Sequence, residues 1–260
     1  MGRSLANGRF EVLRLLGEGG MGVVHAARDT ERDEVVALKS LRHLGGEALL
    51  RFKHEFRALQ DLHHPNLVAL GELLEEDDDW FYSMELVEGV DVLTWIDGDR
   101  DRLRDVLRQL AAGLGALHQA GKVHRDIKPS NVLVTHAGRV VLVDFGLVTE
   151  SRAPESSDPS IVGTAAYMAP EQAASRPVGP AADWYAVGCI LYEALTGRLP
   201  FEGTTIEVLM HKLEREPPLP SQLVSVPGDL DALCGELLRR DPDRRPRADE
   251  VIPRLRGDQP

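Results

Sequence analysis

The stretch His124-Arg125-Asp126-Ile127-Lys128-Pro129-Ser130-Asn131, with Asp144-Phe145-Gly146 shortly after it, decides how this chain is read. It lies next to two short strand-like runs, Val132 to Val134 and Val140 to Val143, which flank the turn His136-Ala137-Gly138-Arg139. Beyond it, Leu147 to Val162 is polar, holds two prolines and reads as a loop. Helices are predicted from there on, at Asp183 to Thr196, Thr204 to Glu214, Asp229 to Arg239 and Ala248 to Leu255, with a proline-rich connector from Pro217 to Pro227. On the N-terminal side, Leu103, Leu107, Leu110, Leu114 and Leu117 step by four and three, which predicts an amphipathic helix ending at Gly121.

Further upstream the character changes. Phe10 to Leu16, Val23 to Arg28, Val35 to Ser40, Leu67 to Leu74 and Trp80 to Leu86 are strand-like and separated by turn residues, which predicts an antiparallel sheet. One helix interrupts it, Glu47 to Leu62, with Leu50, Phe52, Phe56, Leu59 and Leu62 at mostly helical spacing before the stop signal His64-Pro65. The change from a sheet half to a helical half falls near residues 85–90, where an extended linker could act as a hinge with a ligand beneath it.

The 260 residues are 43% hydrophobic and 28% charged, as in an ordinary globular chain of one large domain or two lobes. A formal charge of -12 argues against a nucleic-acid binder, which needs a basic stripe, and against an anionic membrane surface. Cys189 and Cys234 sit far apart in apolar helical patterns and read as buried thiols, without disulfide or metal spacing. The first residues, MGRSLANGRFEVLRLLGEGG, contain no apolar run of signal-peptide kind, and Ala6 replaces the Ser or Thr of a myristoylation signal behind Gly2. The apolar stretch Ala186 to Leu195, broken by Tyr192 and Glu193, is far short of the roughly 18 residues of a membrane helix. The segment is therefore expected in the cytoplasm without direct membrane contact, either as it stands or as the cytoplasmic part of a longer, anchored protein.

Gly17, Gly19 and Gly22 in Gly17-Glu18-Gly19-Gly20-Met21-Gly22-Val23-Val24 would let backbone approach a phosphate closely, although a plain glycine-rich turn accounts for the same spacing. Lys39 in Val36-Ala37-Leu38-Lys39 could pair with phosphate oxygens as a point charge, or be a solvated strand lysine. The acidic run Glu75 to Asp79 reads as a solvated hairpin loop, since like charges resist burial.

The order and spacing of these segments, with Ala169-Pro170-Glu171, Asp183-Trp184 and Arg245-Pro246, resemble eukaryotic-like (Hanks-type) serine/threonine protein kinases of bacterial kind from about Phe10 to Leu255. The resemblance implies a single α+β kinase domain over 1–260. A small antiparallel sheet lobe with one main helix would occupy 10–86, and a larger, mainly helical lobe 87–256. It implies ATP and Mg2+ as cofactors and a protein as substrate, and leaves the oligomeric state open.

By the same resemblance Lys39 holds the α- and β-phosphates, oriented by Glu55 or, as the alternative, Glu47. Asp144 and Asn131 hold magnesium through hard oxygens, Asp126 takes the proton of the substrate hydroxyl, and Lys128 stabilises the γ-phosphate. Thr164, in Gly163-Thr164, contacts the catalytic aspartate and lysine. The adenine site is the linker, with Met84 at its back and the backbone of Glu85 and Val87 on the ring edge. Val24, Ala37 and Leu133 sandwich the base, and Asp91 reaches the ribose. His124, Phe145, Leu59 and Leu70 stack as an apolar column. Asp183 is either a helix N-cap or an acceptor for the catalytic-loop backbone, and Glu171 with Arg245 forms an ion pair. Lys128 and Gly163-Thr164 point to serine or threonine as acceptor. Arg125 beside Asp126 implies a phosphate on the loop, with Ser160 the best-placed acceptor and Thr149, Ser151, Ser156 and Ser157 the alternatives. Two other functions fit the fold: a pseudokinase acting as a nucleotide-binding or scaffolding module, and a small-molecule phosphotransferase.

Overall fold

The computed structural model describes residues 4–19, 22–41, 46–77, 79–144 and 165–255. The chain divides into two compact units, Met1–Glu88 and Gly89–Pro260.

The first unit is a six-stranded antiparallel sheet in the order β1-β2-β3-β4-β6-β5. Its strands are β1 (Ser4–Leu5), β2 (Phe10–Gly19), β3 (Gly22–Asp29), β4 (Glu34–Leu41), β5 (Leu70–Glu76) and β6 (Asp79–Glu85), with α1 (Gly46–Gln60) between β4 and β5. Alternation sorts the side chains onto two faces. Phe10, Ala27, Val36, Leu38 and Phe81 form a buried cluster on one face, with the rings of Phe10 and Phe81 edge to face at 6.4 Å. The register pairs Val24 with Lys39, Lys39 with Tyr82 and Ala37 with both Ala26 and Met84, so these six residues share the other face. Tyr82 meets Phe52 and Phe56 of α1 at 6.0 and 5.4 Å, which seats the helix on that face.

Gly22 has φ +135, and a Cβ there would lie 1.9 Å from the Ser40 carbonyl oxygen, so only glycine lets β3 start this close to β4. Leu50 does not belong to the buried stripe of α1; it is 69% exposed. The helix ends at Gln60, and β5 starts at Leu70 rather than Leu67, because the Leu67 amide closes a turn on the His64 carbonyl at 3.0 Å. The acidic run lies where β5 and β6 meet, with Glu75 and Glu76 ending β5 and Glu76 paired with Asp79 of β6. Glu76 has a structural task in it, its carboxylate accepting from the Ala6 and Asn7 amides at 2.9 Å each.

The second unit opens with β7 (Gly89–Asp91), which joins β8 (Val132–Thr135) and β9 (Val140–Leu142) in a three-stranded sheet. The described helices are α2 (Val92–Ile96), α3 (Arg100–Gln119), α4 (Pro170–Ala173), α5 (Pro180–Thr196), α6 (Thr205–Glu214), α7 (Gly228–Leu237) and α8 (Ala248–Leu255). The leucine stripe of α3 is buried, and this helix packs against α8, α5 and β9. Every residue of α5 from Ala182 to Tyr192 is buried, as its nearly all-apolar sequence requires. The helix begins three residues before Asp183, since Pro180 fits a first helical turn, where its missing N–H costs nothing, and it ends on Gly197 at φ +69. Both cysteines are free and buried, and burial pushes the Cys189 thiol up to about 11. No helix among the described residues is long and apolar enough to cross a membrane.

Candidate active site

The residues singled out by sequence fall on both units. In the first unit, β2 and β3 pair through Gly17 with Val24, Glu18 with Val23 and Gly19 with Gly22, so the described part of the glycine-rich stretch is paired strand. Lys39, at the centre of β4, is only 5% exposed, which rejects the solvated-lysine reading. Glu55 is half-buried on the α1 stripe defined by Phe52, Phe56 and Leu59, the side that meets the Lys39 face of the sheet, whereas Glu47 is exposed. Met84 is buried on β6, Glu85 ends that strand with its amide on the Ala69 carbonyl at 2.9 Å, and Val87 follows in irregular chain.

In the second unit the loop between α3 and β8 converges on one carboxylate. Asp126 Oδ2 accepts from Lys128 Nζ at 2.9 Å and from Asn131 Nδ2 at 3.0 Å, and Asn131 Nδ2 also donates to the Asp126 carbonyl at 2.8 Å. Both side-chain contacts fall on Oδ2. The acceptors also fix the Asn131 amide: its NH2 faces Asp126, so its carbonyl oxygen faces the other way. The Val143 amide donates to the Asn131 carbonyl at 3.0 Å, extending the β8–β9 ladder by one step and setting Asp144 just beyond it. Leu133 is half-buried between the buried Val132 and Val134, on the strand face turned from the core.

This loop is held under backbone strain. Arg125 and Asp144 both adopt left-handed backbone, φ +67 and +60, a conformation costly for arginine. Asp183, 1% exposed, anchors it: Oδ1 accepts from the Arg125 amide at 2.8 Å and Oδ2 from the His124 amide at 2.9 Å, with His118 Nε2 2.8 Å away. Asp183 is therefore a loop acceptor and not the cap of α5, whose N-cap is Gly179. His124 is fully buried, its Nε2 donating to the Val143 carbonyl at 3.0 Å and its Nδ1 accepting from the Asp126 amide at 3.4 Å. Asp91 caps α2, accepting from the Leu93 and Thr94 amides at 3.1 Å each and from the Thr94 hydroxyl at 2.6 Å. Phe145, Gly146, Ser160 and Thr164 lie outside the described residues.

The sequence matches the protein kinase domain family over residues 10–254. The chain belongs to that family. It is 34% identical to the serine/threonine-protein kinase PrkC of Bacillus subtilis, over 92% of this chain and 38% of PrkC. It is 37% identical to PksC of Streptomyces coelicolor over 94% and 48%, and 33% identical to PknE of Mycobacterium tuberculosis over 92% and 44%. The kinase domain thus spans less than half the length of each of these relatives. Its fold is the α+β protein-kinase fold.

Away from the loop, Arg245 satisfies all five of its N–H donors: two reach Glu171 at 2.6 and 2.8 Å, and the others reach the carbonyls of Ala181, Arg239 and Arg240. Its guanidinium lies 4.9 Å from the centre of the Tyr185 ring. Arg245→Leu strands the buried Glu171 carboxylate and is expected to cost about 3 to 5 kcal/mol in urea unfolding, with Arg245→Lys little better, because an ammonium cannot reproduce the fork.

Sequence reasoning missed three residues here: His118 beside Asp183, Gln172, and Lys212. Gln172 Nε2 donates to the Arg125 carbonyl at 2.9 Å. Lys212 is a buried lysine four positions after the buried Val208, a break in an apolar stripe that the sequence does show.

Proposed function

We propose that this kinase domain transfers the γ-phosphoryl group of ATP to serine and threonine hydroxyls of proteins. The observation that carries the proposal is the convergence of Lys128 and Asn131 on one oxygen of Asp126, which leaves Oδ1 for a substrate hydroxyl. The names of the relatives, all serine/threonine-protein kinases, support it.

Asp126 orients the acceptor hydroxyl and takes its proton, while Lys128, already beside that carboxylate, neutralises charge developing on the transferred group. Lys39 holds the α- and β-phosphates, and Glu55 orients it. The backbone of Glu85 and Val87 bonds the adenine edge, Val24 and Ala37 give the base an apolar seat beside Met84, and Leu133 is assigned to the same ligand. Gly17, Gly19 and Gly22 bring backbone amides to the phosphates. The cap of α2 occupies much of Asp91, so ribose binding there uses only the lone pairs the cap leaves. Thr164 is assigned the contact to Asp126 and Lys128 that the family resemblance implies.

Asp144 and the outward carbonyl of Asn131 are hard oxygen donors on adjoining positions of one ladder, a set that fits Mg2+ held by few protein ligands and by substrate phosphates. Among the described residues no group of three or more His, Cys, Asp or Glu could hold a metal by itself. Held by Asp144 and Asn131, Mg2+ would offset the negative charge of the substrate phosphates.

Incubation of the domain with ATP, Mg2+ and an unstructured protein, followed by acid hydrolysis, is expected to give phosphoserine and phosphothreonine. Phosphotyrosine alone, or ATP binding without transfer as in a pseudokinase, would overturn the proposal. Ser160 is proposed as the regulatory phosphosite, its phosphate pairing with the exposed Arg125. Ser160→Ala is expected to lower kcat about tenfold, the equivalent of about one charge-assisted hydrogen bond. Phosphopeptide mapping that finds Ser160 unmodified in fully active protein would contradict this.

A further inference from the structure

Lys212 on α6 is 1% exposed, and no carboxylate among the described residues lies within ion-pair distance of it. Its three N–H donors are matched instead by three carbonyls of one short segment: Ala165 at 2.9 Å, Ala166 at 2.6 Å and Met168 at 2.7 Å. Its Nζ lies 5.2 Å from the centre of the Tyr185 ring. An isolated buried ammonium is costly, so a lysine kept there for packing alone would be better replaced by an apolar residue.

The clamped segment borders the catalytic loop. Tyr167 and Met168 line a recess together with Arg125, Asp126, Ile127 and Gln172. Gln172 ties the two sides together, accepting from the Ala169 amide at 3.0 Å while donating to the Arg125 carbonyl. Each extended residue advances the chain by roughly 3.3 Å, so a polypeptide presenting a hydroxyl to Asp126 lays its neighbouring residues against this wall. We propose that Lys212 is a positioning residue for the protein substrate, clamping residues 165–168 so that the acceptor hydroxyl meets Asp126. The proposal rests on the protein-kinase reading above.

The clamp depends on charge, because a neutral amine keeps only two of the three donors. Burial lowers the Lys212 pKa to about 8. The surrounding titratable groups do not replace the lost charge in the alkaline range. Tyr185 and Cys189 of α5 are pushed up by burial, as is Tyr167 of the clamped segment, which Glu193 also holds protonated. Arg245 is paired with Glu171, and Glu216 and His211 are the other ionisable groups nearby. The sign separates positioning from stability. From about 8 up to the 10.5 of an ordinary exposed lysine the unfolded chain keeps the lysine proton and the folded one does not, so this group makes the fold more stable as pH rises. A merely structural lysine would therefore leave substrate binding intact there, whereas a positioning lysine weakens it.

The test is steady-state kinetics on a capped serine peptide without His, Cys, Tyr or Lys, in the unaltered domain and in Lys212→Met, from about pH 7 to about pH 9.5. In the unaltered domain the KM for peptide is expected to rise about tenfold across that range, as for the loss of about one hydrogen bond, with the KM for ATP unchanged. Lys212→Met is expected to show the raised peptide KM at every pH. A peptide KM flat with pH in the unaltered domain overturns the proposal even if the variant does not fold. So does an alkaline rise that survives in Lys212→Met, or peptide and ATP KM values that rise together. Absence of transfer by the unaltered domain at any pH overturns the functional reading, and this inference falls with it.

Discussion

Replacing Asp126 by Asn is expected to lower kcat about a thousandfold, within the range of a general base removed from its proton. The substitution keeps the size and the two contacts that fix orientation: its amide oxygen still accepts from Lys128 Nζ and Asn131 Nδ2, which now both meet Oδ2. The NH2 group is then turned to where the acceptor hydroxyl is received, and it offers a donor where the reaction needs an acceptor. The loop itself should hold, because Asp183 anchors it through the amides of His124 and Arg125 and not through the side chain of Asp126. Steady-state kinetics should therefore show the loss in kcat with the KM for ATP unchanged. A loss smaller than about tenfold would remove Asp126 from the chemistry.

The second large effect is at Asp144. Asp144→Asn is expected to cost about a hundred- to a thousandfold at ordinary magnesium concentration, since a neutral amide oxygen replaces the carboxylate that would bind the ion. The choice of asparagine isolates this effect. Asp144 sits at φ +60, a left-handed conformation that asparagine tolerates, so the backbone is not strained further. Raising Mg2+ should recover part of the rate in the variant and little in the unaltered domain. Identical magnesium dependence in both would contradict the assignment.

The sequence made these two residues legible because their neighbours in space are also neighbours along the chain. Asp126, Lys128 and Asn131 lie within one loop, and the β8–β9 hairpin that carries Asp144 past Asn131 is short and apolar. The sheet of the first unit, α3 and α8 were legible for the same reason, since periods of two and of three to four residues are local signals. What was not legible depends on partners distant in sequence. Asp183 satisfies the local rules for a cap, so its task as acceptor for the catalytic-loop backbone came only from the family resemblance; the amides it meets lie 58 and 59 residues upstream. Lys212 breaks an apolar stripe, but its meaning comes from carbonyls 44 to 47 residues away. Leu50 fits the helical spacing of α1 and still faces solvent, because a stripe defines a buried face only where another element covers it.

The most direct test of the central claim follows γ-labelled ATP with Mg2+ and a protein substrate, in the unaltered domain and in Asp126→Asn side by side. The account predicts label on serine and threonine hydroxyls of the substrate, in step with ADP formed, from the unaltered domain and close to none from the variant. Equal labelling by the two, or ATP bound by the unaltered domain with no label transferred, would contradict it.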